Sequence, residues 1–169
     1  MTLRKVTEGR LAFDFSAADR VLRLDEPGAP RPHGMSFVDF VVEEGHRTLL
    51  IEIKDPDRTP GPHRQDALRR FDQKLRSDDL IHEELVPKAR DSYTFLHLMA
   101  REGTKRIFVC VLGVGTPDPA LLINFKDRLL ARLRKEAATA WVRPYVKDCV
   151  VVTPKTWTSV FSKYPLTVA

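Results

Sequence analysis

The segment Ser36–Asp55, SFVDFVVEEGHRTLLIEIKD, places the tightest constraint on what this chain can fold into. Phe37–Glu43 and Arg47–Lys54 are rich in Val, Ile, Leu and Phe, with Glu44-Gly45-His46 between them. This predicts two strands joined by a tight turn. Apolar residues occupy both faces: Phe37, Val38, Phe40, Val41 and Val42 in the first strand, Leu49, Leu50, Ile51 and Ile53 in the second. Strands of that kind are covered on both sides. Asp39, Glu52 and Lys54 interrupt the pattern. A charge in such a place is costly unless it is paired or bound to a metal ion.

Side chains alternate along a strand, so Glu52 and Lys54 share a face. The turn fixes what lies opposite them. A Gly45-His46 loop sets Asp39 directly opposite Glu52. A Glu44-Gly45 loop sets Asp39 opposite Leu50 and diagonal to Glu52. In both registers the three charges share one face, with the carboxylate pair about 5–8 Å apart between Cβ atoms. A three-residue loop would break this arrangement unless a bulge restored it.

Asp39, twelve residues, then Glu52-Ile53-Lys54 resembles the active-site signature of the PD-(D/E)xK nuclease superfamily, to which restriction endonucleases and many repair and recombination nucleases belong. The resemblance covers about 16 residues, and Val38 stands where the name-giving Pro would be. Asp72-Gln73-Lys74 also fits D-x-K, but within a predicted helix. The resemblance implies an α/β fold, a central mixed β-sheet flanked by helices with a restriction endonuclease-like αβββαβ core. It implies a Mg²⁺- or Mn²⁺-dependent phosphodiester hydrolase acting on nucleic acid, most naturally DNA, and leaving a 5′-phosphate. Asp39, Glu52 and the Ile53 carbonyl would hold the metal, an oxygen-rich set suited to a hard cation. The ion would polarise a phosphodiester oxygen and acidify a water. Lys54 would orient that water or stabilise transition-state charge. Relatives add an acidic ligand from an N-terminal helix; Glu8, Asp14, Asp25 and Glu26 are the candidates, and each also reads as a solvated charge or cap.

The rest of the chain is read around this site. Leu11–Phe15 alternates like a short strand, and Ser16 reads as the cap of a short helix with Val21, Leu22 and Leu24 inward. The αβββαβ core needs one more strand before Asp39, which Leu11–Phe15 or residues 31–35 would supply. Pro27–Gly34 and Asp55–His63 are Pro- and Gly-rich loops, the second bordering the charged strand end. Helices are predicted over Arg64–Arg76, over Asp78–Glu102 with an interruption at Pro87 and a stop at Gly103, over Pro119–Thr139, and over Thr156–Ser162. Ala89, Tyr93, Leu96, Met99 and Ala100 form the inward stripe of the second. Trp157, Val160 and Phe161 pack inward from the last. Arg106–Val114 and Cys149–Thr153 read as buried strands. The basic residues of the first and third helices can track a phosphate backbone or simply face solvent. Gln65 is followed four residues later by Arg69, not Tyr, which departs from the recombination-type members. Trp141, Arg143 and Tyr145 can stack on bases, or pack as core.

At 169 residues the length suits one domain, and 43% hydrophobic with 30% charged residues is globular composition. A net charge of +5 favours a polyanionic partner. No apolar run reaches membrane-span length, no secretory signal stands at the start, and Cys110 and Cys149 suit reduced thiols, so a cytoplasmic location is expected. His33, His46, His63, His82 and His97 make no zinc-site spacing, though His33 or His63 can approach the site from a loop. No G-x-S-x-G or phosphate-loop element occurs. Cutting two strands suggests a homodimer or a partner protein. Two other readings compete with the nuclease: a structural ion pair of Lys54 with Asp39 and Glu52, and a catalytically inactive nuclease-like subunit that binds nucleic acid or protein.

Overall fold

The hairpin forms around a Gly45-His46 loop, as β4 (Phe40–Glu44) and β5 (Arg47–Lys54). Its antiparallel register runs from Glu44↔Arg47 to Phe40↔Ile51. The computed structural model describes residues 4–101 and 105–169. β5 continues into a parallel pair with β6 (Arg106–Leu112), and β6 pairs in parallel with β7 (Asp148–Val152). The five-stranded mixed sheet is completed by β3 (Arg20–Arg23), antiparallel to β4.

β3 corrects the short helix expected after Ser16. The Ser16 N–H bonds the Asp14 carboxylate at 2.9 Å and the Asp19 N–H bonds the Glu43 carbonyl at 3.0 Å, so these residues turn the chain into an edge strand. Val21 then faces one side of the sheet and Leu22 the other, a period of two that pairing with β4 imposes over local helix preference. β3, not Leu11–Phe15 or residues 31–35, precedes the Asp39 strand in the meander. Among the described residues no helix precedes it.

Helices cover one face. They are α1 (Arg64–Arg76), α2 (Val86–Leu98) and α3 (Pro119–Arg134), which bury Phe71, Leu75, Ala89, Leu96, Phe125 and Leu129 against Val41, Leu50 and Phe108. Pro87 falls where a π turn over Leu80–Leu85 runs directly into α2, with the Val86 N–H bonded back to the Ile81 carbonyl, so the interruption expected there is a change of helix type rather than a break. α2 stops at Leu98, with Met99 exposed and Ala100 at φ 52°, so Met99 is not part of the inward stripe. The predicted end at Glu102 and Gly103 lies outside the described residues. α3 ends at Arg134, not Thr139: Leu133 is its last buried residue, and beyond it no sheet remains to cover. No described helix is long and apolar enough to cross a membrane.

The other face carries a small antiparallel sheet of β1 (Lys5–Glu8), β2 (Leu11–Asp14) and β8 (Leu166–Val168) together with α4 (Pro154–Val160). Phe13, Phe15, Trp157 and Tyr164 pack there on Phe40, Val42, Leu49 and Ile51. α4 starts two residues earlier than predicted because Thr153 and Thr156 cap each other reciprocally. Trp157 and Phe161 are buried as expected, while Val160 is exposed. Cys110 and Cys149 are buried free thiols.

The turn end of the hairpin is tied to the C-terminal segment by Glu44, whose buried carboxylate takes Arg47, the Tyr164 hydroxyl at 2.7 Å and Lys163 at 3.1 Å. Burial alone would raise its pKa, but these partners outweigh it and bring it down to about 2 from 4.5. The folded pKa lies below the unfolded one, so the stabilisation is full above pH 4.5 and is lost as pH falls toward 2. Denaturant melts at pH 6 and pH 3 should show Glu44→Gln removing about 2 kcal/mol of the wild-type acid sensitivity.

Candidate active site

The open end of the hairpin, away from its turn, borders a cleft of about 440 Å³. Extending the β4–β5 register by one pair sets Asp39 opposite Glu52, the first of the two registers considered above. Asp39 lies just before β4 begins, where the backbone ladder has opened. Its Oδ2 takes the place of a ladder acceptor and receives the Ile53 N–H at 2.7 Å. Burial first, and the Glu52 charge second, push the Asp39 carboxyl up to about 7.

Glu52 points to the helical face and is fully buried. Lys54 Nζ is 2.8 Å from its Oε1, and Lys88 Nζ is 2.9 Å from Oε1 and 3.1 Å from Oε2. Both ammonium groups therefore converge on Oε1. Each lysine has a second, outer carboxylate. Lys54 reaches Glu84 at 2.7 Å, which Lys74 holds at 2.9 Å. Lys88 reaches Asp25 at 3.2 Å, which Arg31 holds at 2.9 Å. Burial lowers both lysine pKa values, but the carboxylates outweigh it and keep both ammonium groups above the ordinary lysine range.

Asp39, Ile53 and Lys54 line the cleft, while Glu52, on the same face as Asp39 and Lys54, does not reach it and is buried behind Lys54 and Lys88. Of the four acidic candidates, Glu8 and Asp25 line the cleft. Asp14 is elsewhere, paired with Lys5, and Glu26 borders a separate groove. His33 and His63 are exposed and do not line it. The cationic face of α1 is largely neutralised: Arg64 pairs with Asp57, Arg69 with Asp66 and Arg76 with Asp72. Trp141 packs at a tilt against Tyr145, whose carbonyl takes Arg106 Nε at 2.7 Å. Arg106 pairs with Thr48, six residues before Lys54, so this aromatic group is about 20 Å from the cleft along the strand.

Comparison with protein-family models, curated proteins and solved structures finds no match to this chain.

Sequence reasoning missed Lys88 and Glu84. The signal was present: they stand four apart, beside the inward residues Leu85 and Ala89, on a stretch otherwise read for its apolar stripe. Among the described residues, no three His, Cys, Asp or Glu side chains converge as a complete metal-ligand set. A cation held by Asp39 and Glu52 would need a backbone carbonyl and water to complete its coordination. The Asp39 carboxyl, raised by burial and by the neighbouring Glu52 charge, fits that role, and Glu52 would take it up by exchanging one of its ammonium partners for the cation.

Proposed function

We propose that this protein is a Mg²⁺- or Mn²⁺-dependent nuclease of the PD-(D/E)xK type, hydrolysing phosphodiester bonds in DNA or RNA, with DNA the favoured substrate. The observation that carries the reading is the meeting of Asp39, Glu52 and Lys54 on one face at the open end of a covered hairpin, with Asp39 and Lys54 lining a solvent cleft and Glu52 buried directly beneath Lys54. The order of elements supports it. The β3–β4–β5 meander, a helical crossover and parallel β6 follow the βββαβ part of a restriction endonuclease-like core, with the β1–β2 hairpin where its first helix would be.

Charge distribution supports it as well. The chain carries +5, and the cleft is lined by five carboxylates with Lys54, Arg58 and Lys88; Arg23, Arg31, Arg10 and Lys74 pair from outside with Glu8, Asp25, Asp55 and Glu84, which singles out Asp39. A divalent cation beside Asp39 would favour a polyanion in the cleft. Asp39, Glu52 and the Ile53 carbonyl are the groups that would hold that cation. A bound divalent cation supplies Lewis acidity toward a phosphate oxygen and lowers the pKa of water. Lys54 supplies a fixed positive charge beside the reacting phosphate, held in place by the rigid end of β5 and by Glu84.

A second reading has its own observation. Glu52 is buried under two ammonium groups, which suits a structural ion cluster in an inactive nuclease-like subunit that binds nucleic acid or protein. Cleavage of plasmid DNA, single-stranded DNA and RNA with Mg²⁺ or Mn²⁺ tests the choice. Wild type should cut at least one of them, and Asp39→Asn should cut none. Intact substrates with both proteins, and no heat of Mn²⁺ binding to either, would establish the inactive subunit instead.

A further inference from the structure

Glu52 already has a cation seated on it. Lys88 Nζ straddles its two oxygens, at 2.9 and 3.1 Å, and touches Asp25 Oδ2 at 3.2 Å. This ammonium bridge between Glu52 and Asp25 supplies to Glu52 the positive charge that a hard divalent cation beside Asp39 would otherwise supply. Glu52 does not line the cleft, whereas Lys54 and Lys88 do, so an ion approaching from the cleft meets the ammonium groups first. Glu52 Oε1 is held by both ammonium groups, Lys54 at 2.8 Å and Lys88 at 2.9 Å, so a divalent cation reaches it only by displacing one of them.

The two lysines differ in how they are held. Lys54 belongs to a central strand, and its carbonyl accepts the Gly113 N–H at 2.7 Å. Lys88 reaches in from α2 on a flexible four-carbon stem. Its other partner, Asp25, lies in the segment after β3 and remains available if Glu52 is given up.

We propose that Lys88 is the resident counter-ion of Glu52, bridging it to Asp25 in the free protein and releasing it when a divalent cation enters between Asp39 and Glu52. Lys88 then stays in the cleft on Asp25, where its charge faces the incoming phosphate backbone. Cation entry and the presentation of a positive group to substrate are thereby coupled. The inference rests on the metal-site reading above.

The test is calorimetric titration of Mn²⁺ into the full chain without nucleic acid. Lys88→Met should bind Mn²⁺ about tenfold more tightly than wild type, because a competing positive charge has gone. Lys88→Gln should change in the same direction and keeps a hydrogen-bond donor for Glu52 should the Met variant fail to fold. Lys74→Met, which removes a charge one carboxylate further out, should change affinity less than about twofold. In wild type, the ¹⁵N resonance of the Lys88 ammonium should move on adding Mg²⁺. Equal Mn²⁺ affinity in wild type and both Lys88 variants would overturn the role of Lys88 while leaving the cation site standing. So would an equal gain in Lys74→Met. No Mn²⁺ binding by wild type or any variant would overturn the cation site, and the inference with it.

Discussion

Lys54→Met is expected to cut nucleic acid about 10²–10³-fold more slowly than wild type with Mg²⁺ or Mn²⁺, while remaining folded. The fold survives because neither partner of Lys54 is left alone: Glu52 keeps Lys88, and Glu84 keeps Lys74. What is lost is a positive charge at the end of β5, fixed where charge would develop on the phosphate. Glu52→Gln should cause a loss of similar size. It keeps the side-chain shape, and Lys54 and Lys88 retain Glu84 and Asp25 as outer partners. The two variants separate in cation binding. Glu52→Gln should weaken Mn²⁺ binding along with cleavage, whereas Lys54→Met should not. Steady-state cleavage of plasmid DNA, with circular dichroism melts to verify folding, measures both. A Lys54→Met protein cutting within about threefold of wild type would rule Lys54 out of the chemistry and leave it a structural partner of Glu52.

How far the site was legible in the chain depends on the range of the interactions that build it. The β4–β5 hairpin was readable because its turn residues and the apolar residues on both faces identify the strands locally and leave two two-residue registers, both with the three charges on one face; the structure takes the Gly45-His46 loop. The shared face of Asp39, Glu52 and Lys54 followed from either register with no knowledge of the rest. β3 was not readable: four residues behind a Ser that suits a helix cap carry little local preference, and only the open edge of β4 makes them a strand. Lys88, Glu84 and Asp25 were not readable as one group, since they come from the far side of a crossover and from the segment after β3. Their meeting depends on how α2 packs on the sheet. The end of α3 went astray for the opposite reason. Residues 135–140 retain helix-forming composition, but burial stops at Leu133 and the helix stops with it.

The site also depends on a lock at its back, and Gly113→Ala should show how strongly. Asp55 directly follows Lys54, and its side chain is 2% exposed. It accepts the Arg10 backbone N–H at 3.1 Å and the Arg10 guanidinium at 2.8 Å, which joins the β1–β2 turn to the end of β5. Arg10 also donates to the Gly113 carbonyl at 3.2 Å, so three segments meet on one carboxylate. A Cβ on Gly113 would stand 2.6 Å from Asp55 Oδ1 and 3.0 Å from its Cα. The first is shorter than any real contact, and the second is against backbone, so the loop cannot yield by turning a flexible side chain. Either Asp55 leaves Arg10 or the end of β5 shifts. Displacing an enclosed, doubly bonded carboxylate costs about 2–4 kcal/mol, toward the lower end here because Arg10 retains some contact with water. For a chain of this length that lowers Tm by roughly 5–12 °C. Lys54 shares the displaced backbone and Glu8 sits beside the same turn, so the cleft should loosen as well, with cleavage falling more steeply than the folded fraction. Differential scanning calorimetry and cleavage at 20 °C, where the variant remains folded, separate the two effects. A Gly113→Ala protein with unchanged Tm would mean that the loop accommodates a methyl group and that Asp55 does not lock the end of the strand.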